Sequence, residues 1–264
     1  MKPMLAKTKG PRFNKLPCFV QPKLNGVRAL YQSGVFQSRD EKLWNGKVLA
    51  HLLEQLDTIQ PLLGDTILDG ELYVHGWRLQ RINGAIAVNR KEPIEDTLQI
   101  EYHVFDTVET RFFSSRWPAT ADILQEAALP NIRIVPTDWA DDHSRVEDLF
   151  KFYTAQGYEG VMLRPDGVYQ QDKRSEYLWK YKNWLDAEFI CVGTTPGEGK
   201  ADIGIGALVV QVGNTTCKVG TGFDDSERIL FAKNPPLGKL IRVRFLELTK
   251  DGSLFNPSFI AVMN

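Results

Sequence analysis

The sequence predicts an α+β chain: a mixed domain of antiparallel strands with a few helices, followed by a small all-β barrel, most simply of OB type. Three observations carry this. Apolar and polar residues alternate on both sides of Ser33-Gly34, which reads as a hairpin. Helical spacing of apolar residues is confined to a few stretches, so the strands are not joined by regular helical crossovers. Beyond Trp184 the chain becomes a series of short β-rich runs separated by Gly, Asp, Asn and Pro.

In order along the chain, Cys18-Phe19-Val20 leads into Gln21-Pro22-Lys23-Leu24-Asn25-Gly26-Val27-Arg28, and residues 28–39 form the hairpin. Residues 46–60 place apolar side chains at 48, 49, 52, 53, 56 and 59, a helical stripe. Residues 67–74 and 99–106 read as strands that carry carboxylates. Ser144-Arg145-Val146-Glu147 has the spacing of a capping box before a helix that Gly157 closes. Residues 158–164 and 176–182 read as further strands. The texture changes near 183–187, which gives expected domains of 1–184 and 185–264. In the second, residues 189–195, 207–213, 215–222 and 239–248 are β-rich, and 226–233 alone looks helical.

With 264 residues the chain has room for two domains with cores, and 43% hydrophobic and 25% charged residues are ordinary for a globular protein. No apolar run reaches membrane length. The opening Met1–Lys15 is basic but has no apolar stretch after it, so it does not read as a secretory signal. Cys18, Cys191 and Cys217 are scattered, and the four histidines form no metal-binding pair. Neither a zinc cluster nor a disulfide framework is expected, and a cytoplasmic location is. The net charge of −1 conceals an uneven distribution. Residues 1–39 hold eight cations (Lys2, Lys7, Lys9, Arg12, Lys15, Lys23, Arg28 and Arg39) and no acid. Lys173, Arg174, Lys180 and Lys182 form a second basic group. These are either two solvated faces or one surface that meets a polyanion.

A lysine at a strand end is either a solvated residue or a nucleophile held in a pocket, with Gly26 letting a ligand approach the backbone. No GxxxxGK[ST] occurs, so a P-loop does not bind nucleotide here. Gly197-Glu198-Gly199-Lys200 reads as a β-turn, and no motif supports Ser/His/Asp catalysis. The remaining motifs fall in one order: Lys23-Leu24-Asn25-Gly26-Val27-Arg28, Ser38-Arg39, Asp69-Gly70-Glu71, Tyr102-His103-Val104-Phe105-Asp106, Glu159-Gly160-Val161-Met162-Leu163-Arg164 and Trp179-Lys180-Tyr181-Lys182. In that order and spacing they resemble the nucleotidyltransferase motifs of ATP-dependent DNA ligases. Pro3-Met4-Leu5-Ala6 and the C-terminal β-domain are similar to that family as well, so the resemblance covers nearly the whole chain.

The resemblance implies an adenylation (nucleotidyltransferase) domain followed by an OB fold, and an enzyme that seals nicks through a lysyl–AMP and a 5′-adenylated DNA. Lys23 would attack the α-phosphate of ATP. That requires a neutral amine, whereas a free lysine titrates at roughly 10.4, so burial and the neighbouring cations Arg28, Lys180 and Lys182 would have to lower it. Arg28 would contact ribose or phosphate, Glu71 the ribose hydroxyls, and Phe105 would stack on adenine. Gln21 would meet adenine largely through its backbone, and Arg39, Lys180 and Lys182 would face the nucleotide. Glu159 would hold Mg²⁺, with Mn²⁺ as a substitute, or orient the lysine. Nicked duplex DNA is the implied partner, gripped by Lys7, Lys9, Lys15, Arg39, Lys173 and Arg174. A monomer without membrane association is expected.

Two departures stand out. The family motif usually has Asp where this chain has Asn25, which changes the field around Lys23. The basic motif that commonly ends the family's OB domain is absent from Asn256–Asn264, so either Lys239, Arg242, Arg244 or Lys250 substitutes, with partial substitution by Lys239 or Arg242 preferred, or pyrophosphate departs without help from that domain. No room precedes Lys23 for an N-terminal DNA-binding domain, so a minimal form is expected. An RNA ligase and an mRNA-capping guanylyltransferase share the lysine chemistry, and a non-catalytic nucleic-acid-binding protein is the alternative of another class. The ligase-like Pro3–Ala6 and the β-domain running on from Trp179–Lys182 weigh against the first two. The presence of Lys23, Glu71, Glu159, Lys180 and Lys182 weighs against the third.

Overall fold

A computed structural model describes residues 1–8, 13–87, 89–182, 184–197, 203–245, 247–249 and 251–263, Glu247 by its backbone alone. It divides into two compact units, Met1–Tyr181 and Lys182–Asn264.

The first unit carries, in chain order, β1 (Leu5–Thr8), β2 (Cys18–Lys23), β3 (Val27–Gln32), β4 (Val35–Ser38), α1 (Ala50–Leu63) and β5 (Leu68–Tyr73). Then come α2 (Leu79–Ala85), α3 (Glu95–Leu98), β6 (Glu101–Thr107), α4 (Phe113–Ala127), β7 (Ile132–Ile134) and β8 (Asp138–Ala140). α5 (His143–Ala155), β9 (Gly160–Pro165) and β10 (Arg174–Lys182) complete the series. The strands form two five-stranded sheets, β1-β10-β9-β2-β8 and β4-β3-β5-β6-β7. In the first, β2 is antiparallel to β8 and β9 and β1 runs parallel to β10; in the second only β7 is parallel to its neighbour.

Each sheet is closed by a helix whose apolar stripe the sequence spells out. Leu52, Leu56, Ile59 and Leu63 of α1 are buried in one core with Leu68, Leu72, Tyr102 and Val104. Val146, Leu149, Phe150 and Tyr153 of α5 share another with Cys18, Val20, Val161 and Leu163. Burial of a side chain of this size contributes roughly 1.5–3 kcal/mol.

The predicted capping box at Ser144 is corrected. α5 begins at His143 and its N-cap is Asp142, whose carboxylate accepts from Arg145 N–H at 2.8 Å. Asp caps as well as Ser, and it stands where the chain is still extended, so Ser144 falls inside the helix. Gly157 lies just past the end of α5 with φ +92°, the left-handed conformation that glycine adopts without cost. α4 escaped the reading of the sequence altogether. Pro118 inside it and the serines of its first turn mask a helix that buries Phe113, Trp117 and Leu124.

The second unit consists of β11 (Leu185–Pro196), β12 (Ile205–Val212), β13 (Thr215–Val219), α6 (Asp225–Lys233), β14 (Leu240–Phe245), β15 (Glu247–Leu248), β16 (Leu254–Phe255) and β17 (Ser258–Val262). Five strands form an antiparallel sheet of order β13-β12-β11-β14-β17, and β15 pairs with β16. Its core gathers Cys191, Leu208, Val210, Val219, Phe231, Ile241, Val243 and Phe259. Asp224 caps α6 in a reciprocal box with Glu227. The architecture is α+β with a C-terminal all-β domain. All three cysteines are buried and free. Among the described residues no helix is long and apolar enough to cross a membrane.

One ionic cluster lies inside the first unit. Asp106, on β6, is fully buried. Its Oδ1 accepts from Arg116 Nε at 2.7 Å and from Thr107 N–H at 2.8 Å. Its Oδ2 accepts from Arg116 Nη2 at 3.0 Å and Arg164 Nη1 at 2.6 Å. Arg164 belongs to β9, so the carboxylate joins the two sheets. Removing one member of a buried ion cluster strands the remaining charges, at about 3–5 kcal/mol. Asp106→Ala should therefore lower the unfolding free energy by about that amount. Urea titration of the two proteins checks it, and a loss under about 1 kcal/mol would show that the guanidinium groups find other partners.

Candidate active site

β2 ends at Lys23, and its antiparallel register with β9 sets Lys23 opposite Gly160. Glu159 therefore arrives beside it: its N–H donates to Lys23 O at 3.1 Å, and Lys23 Nζ donates to Glu159 Oε2. Nζ also donates to Leu24 O at 3.2 Å. The two side chains are 19% and 20% exposed, which leaves the pair largely desolvated yet open to a ligand.

Glu71 comes from the other sheet. A β-carbon on Gly26 would lie 2.5 Å from Leu72 O and 2.9 Å from Glu71 Cγ, so only glycine lets the Lys23–Arg28 segment approach β5 this closely. The closeness lets Gly26 N–H donate to Glu71 Oε1 at 2.6 Å. Burial pushes the Glu71 carboxyl above its ordinary range, opposed by Lys23, the Gly26 N–H and Arg28. Lys180, on β10, is held below the ordinary lysine range by burial first, then by repulsion from Lys23, Arg174 and Arg39. Lys23, Glu71, Glu159, Lys180 and Arg39 are thus brought together, and Lys182 ends the same strand as Lys180.

The side chains of Arg28 and Gln21 are bonded within the fold. Arg28 forks onto Asp69 through Nε at 2.9 Å and Nη2 at 2.5 Å, and its Nη1 donates to Met4 O at 2.7 Å. Gln21 is buried; its amide donates to Phe105 O at 3.1 Å and Thr137 Oγ1 at 2.9 Å, and accepts from Arg164 Nε at 2.5 Å. Both side chains are committed to holding the pocket's walls. The guanidinium groups of Arg28 and Arg164 each lie 5.4 Å from the centroid of the Phe105 ring.

The supporting residues Asp69, Asp106, Arg164 and Tyr169 were missed as such. Tyr169 donates to Asp69 Oδ2 at 2.6 Å and accepts from Met4 N–H at 3.0 Å, which anchors the N-terminal segment to the pocket. For Asp69, Asp106 and Arg164 the signal in the sequence was charge within otherwise apolar strands, for which a buried partner has to exist.

The acid-free run 1–39 acquires its acids from elsewhere in the fold. Lys2 lies 3.7 Å from Asp172, Lys15 pairs with Glu176 at 3.0 Å, Lys23 with Glu159 and Arg28 with Asp69. Lys7 sits over the Trp179 ring at 5.4 Å. Lys173 and Arg174 are exposed, and Arg174 donates to Ala6 O at 2.9 Å. Lys9, Arg12, the stretch 198–200 and Lys250 lie outside the described residues. In the second unit Arg242 and Arg244 are held by Glu188 and Asp186 in cross-strand pairs at 3.0 and 2.9 Å. That makes Arg242 a poor substitute for a mobile cation.

Among the described residues no three His, Cys, Asp or Glu side chains cluster as metal ligands. Mg²⁺ needs no such cluster when a substrate supplies phosphate oxygens, because it is usually bound by one or two carboxylates and keeps several waters. Glu159, a single desolvated carboxylate at the nucleophile, fits that mode.

A lysine paired with a carboxylate between two sheets, followed by an OB-type β-domain, defines a covalent nucleotidyltransferase architecture. The model of the ATP dependent DNA ligase domain matches residues 3–182, and that of the DNA ligase OB-like domain matches 196–262. The chain belongs to the ATP-dependent DNA ligase family. The DNA ligase of African swine fever virus (strain Badajoz 1971 Vero-adapted) is 31% identical over 215 residues, 74% of this chain and 48% of that protein. The chain thus spans about half the length of the curated relatives it matches. A Lig E DNA ligase structure superposes with a TM-score of 0.69 at 23% identity, covering 100% of this chain and 99% of that one. A Chlorella virus DNA ligase-adenylate does so with 0.58 at 24%, covering 100% and 98%. At these identities the two structures establish the fold.

Because Gly26 admits no β-carbon, Gly26→Ala should push β3 from β5 and break the bond to Glu71. Overpacking of this kind costs on the order of 1–3 kcal/mol. An unfolding midpoint equal to that of the parent protein would show that the strands can part freely.

Proposed function

We propose that this chain is an ATP-dependent DNA ligase that seals nicks in duplex DNA, acting as a monomer. The observation that carries the reading is the Lys23 amine, set against Glu159 at the end of β2 with Glu71 and Lys180 around it. Lys23 Nζ attacks the α-phosphorus of ATP; an N–P bond forms, the bond to pyrophosphate breaks and the amine loses its proton. AMP then passes to the 5′-phosphate oxygen of the nick, restoring the lysine. Attack by the 3′-hydroxyl on that phosphorus expels AMP and closes the phosphodiester.

The side chains divide this work. Glu71 accepts from the ribose hydroxyls, and Phe105 offers its ring to adenine, with the Arg28 and Arg164 guanidinium groups beside it. Lys180, Lys182 and Arg39 stabilise phosphate charge. Arg28 and Gln21 support the pocket through Asp69, Met4, Phe105 and Arg164, with Gln21 offering backbone to the base. Mg²⁺, or Mn²⁺ in its place, would be held by Glu159 together with the phosphates and would supply charge neutralisation there.

Lys23→Ala should abolish transfer of label from ATP to protein in a denaturing gel, yet still close nicks that are already 5′-adenylated. Undiminished labelling of the variant sinks the assignment. Labelling from GTP in place of ATP, or a chase that joins nicked RNA and not nicked DNA, points instead to a capping guanylyltransferase or an RNA ligase.

Lys7, Lys173 and Arg174 are proposed to meet DNA phosphates, whereas the Lys15 charge is spent on Glu176. Each phosphate that the protein no longer neutralises should flatten the log–log salt dependence of DNA binding by about 0.9. Replacing the first three by alanine should flatten it by nearly three such steps, and Lys15→Ala should leave it almost unchanged. Equal slopes for the triple variant and the parent would mark these residues as mere surface.

A further inference from the structure

His75 lies two residues past β5 and touches elements of both sheets. Its Nε2 is 2.9 Å from Gln156 O, and a carbonyl only accepts, so Nε2 bears the proton and donates. Nδ1 is then the acceptor of the neutral ring, and the Tyr73 hydroxyl donates to it at 2.9 Å. Burial pushes that hydroxyl up to about 12, helped by Tyr158 and Glu71, so it keeps its proton. The imidazole also packs on Tyr158 with centroids 4.7 Å apart, and Tyr158 meets Tyr153 of α5 edge-on at 5.8 Å.

These contacts bear on a particular turn. Gln156 caps the C-terminus of α5, where carbonyls have no helical partner and ordinarily turn to water. Here a side chain from the opposite sheet takes that carbonyl. Gly157 N–H and Tyr158 N–H return to Thr154 O and Tyr153 O, so these bonds fold the turn onto its own helix. The His75 bond crosses to β5. The residue that follows Tyr158 is Glu159, whose carboxylate meets Lys23.

We propose that His75 is a positioning residue: it straps the 156–159 turn, which delivers Glu159, to the end of β5, which delivers Glu71, and so fixes both carboxylates about the Lys23 amine. The inference rests on the ligase reading for its effect on rate, and on geometry alone for its effect on the turn. His75 is exposed, so its replacement leaves no buried cavity and the fold survives.

Three variants separate the contributions. His75→Ala removes ring and hydrogen bonds, His75→Phe keeps a ring for Tyr158, and His75→Gln keeps a donor for Gln156 O. In the Ala and Phe variants, backbone amides of 156–160 should exchange with deuterium faster than in the parent, and in His75→Gln they should not. Lysine labelling at saturating ATP should slow about tenfold in Ala and Phe and return to within about twofold in Gln, the effect of one missing hydrogen bond. The ATP concentration for half-maximal rate should rise in Ala and Phe as well, because the strap also places Glu71 at the ribose, and it should return in Gln. A merely structural histidine would not be rescued in rate, half-saturation and exchange together by a side chain that keeps only the donor. Unchanged exchange in the Ala and Phe variants overturns the strap, as does faster exchange with unchanged labelling. If the parent protein takes no label at all, the ligase reading fails, and exchange alone then decides the strap.

Discussion

The carboxylate of Asp106 is the point on which the two sheets of the first unit agree. It stands on β6 and is gripped by Arg164 from β9 and Arg116 from α4, with every oxygen lone pair in use. Arg164 in turn holds the Gln21 amide, two residues before Lys23, and Gln21 holds the carbonyl of Phe105. A chain of hydrogen bonds thus runs from one sheet to the strand that carries Lys23 and back to Phe105. In a desolvated interior such a network is strong only when complete. Its completeness gives the pocket a single geometry.

A second consequence is electrostatic. The site holds Lys23 between carboxylates from opposite sheets and sets another lysine close by. Burial penalises every charge here, which shows as a raised Glu71 and a lowered Lys180. Desolvation thus brings both groups nearer to the middle of the pH scale than they stand in water. In the proposed function these two groups become the acceptor for ribose and the cation for phosphate, and the ion pair with Glu159 holds the Lys23 amine in place.

How charge is distributed along the chain and how it is distributed in space are different things. Eight cations without an acid suggested one continuous grip on a polyanion. In the fold Lys2, Lys15, Lys23 and Arg28 each face a carboxylate contributed by residues 69–176. The grip proposed for DNA accordingly rests on Lys7, Lys173 and Arg174. Exposed pairs such as Lys15–Glu176 contribute little to stability, so their main effect is on the field that an approaching phosphate meets.

The sequence by itself determined the local elements and a candidate set of site residues. The hairpin about Ser33-Gly34, the stripe of α1 and the late β-runs follow from side-chain period and turn chemistry, which are properties of neighbouring residues. Lys23, Glu71, Glu159 and Lys180 were legible because each stands in a short motif that resembles one of the family's. Boundaries were less so: Asp142 took the cap expected of Ser144, and Pro118 hid α4, since competing caps and a proline within a helix are resolved only by the structure around them. What the tertiary structure alone decided is which charges are spent and which are offered. Asp69, Asp106 and Arg164 read as ordinary strand residues until their partners, dozens of residues away, close on them. Arg28 is paired with Asp69 for the same reason: a guanidinium goes to the carboxylate that is buried with it, and burial is settled by the whole chain at once.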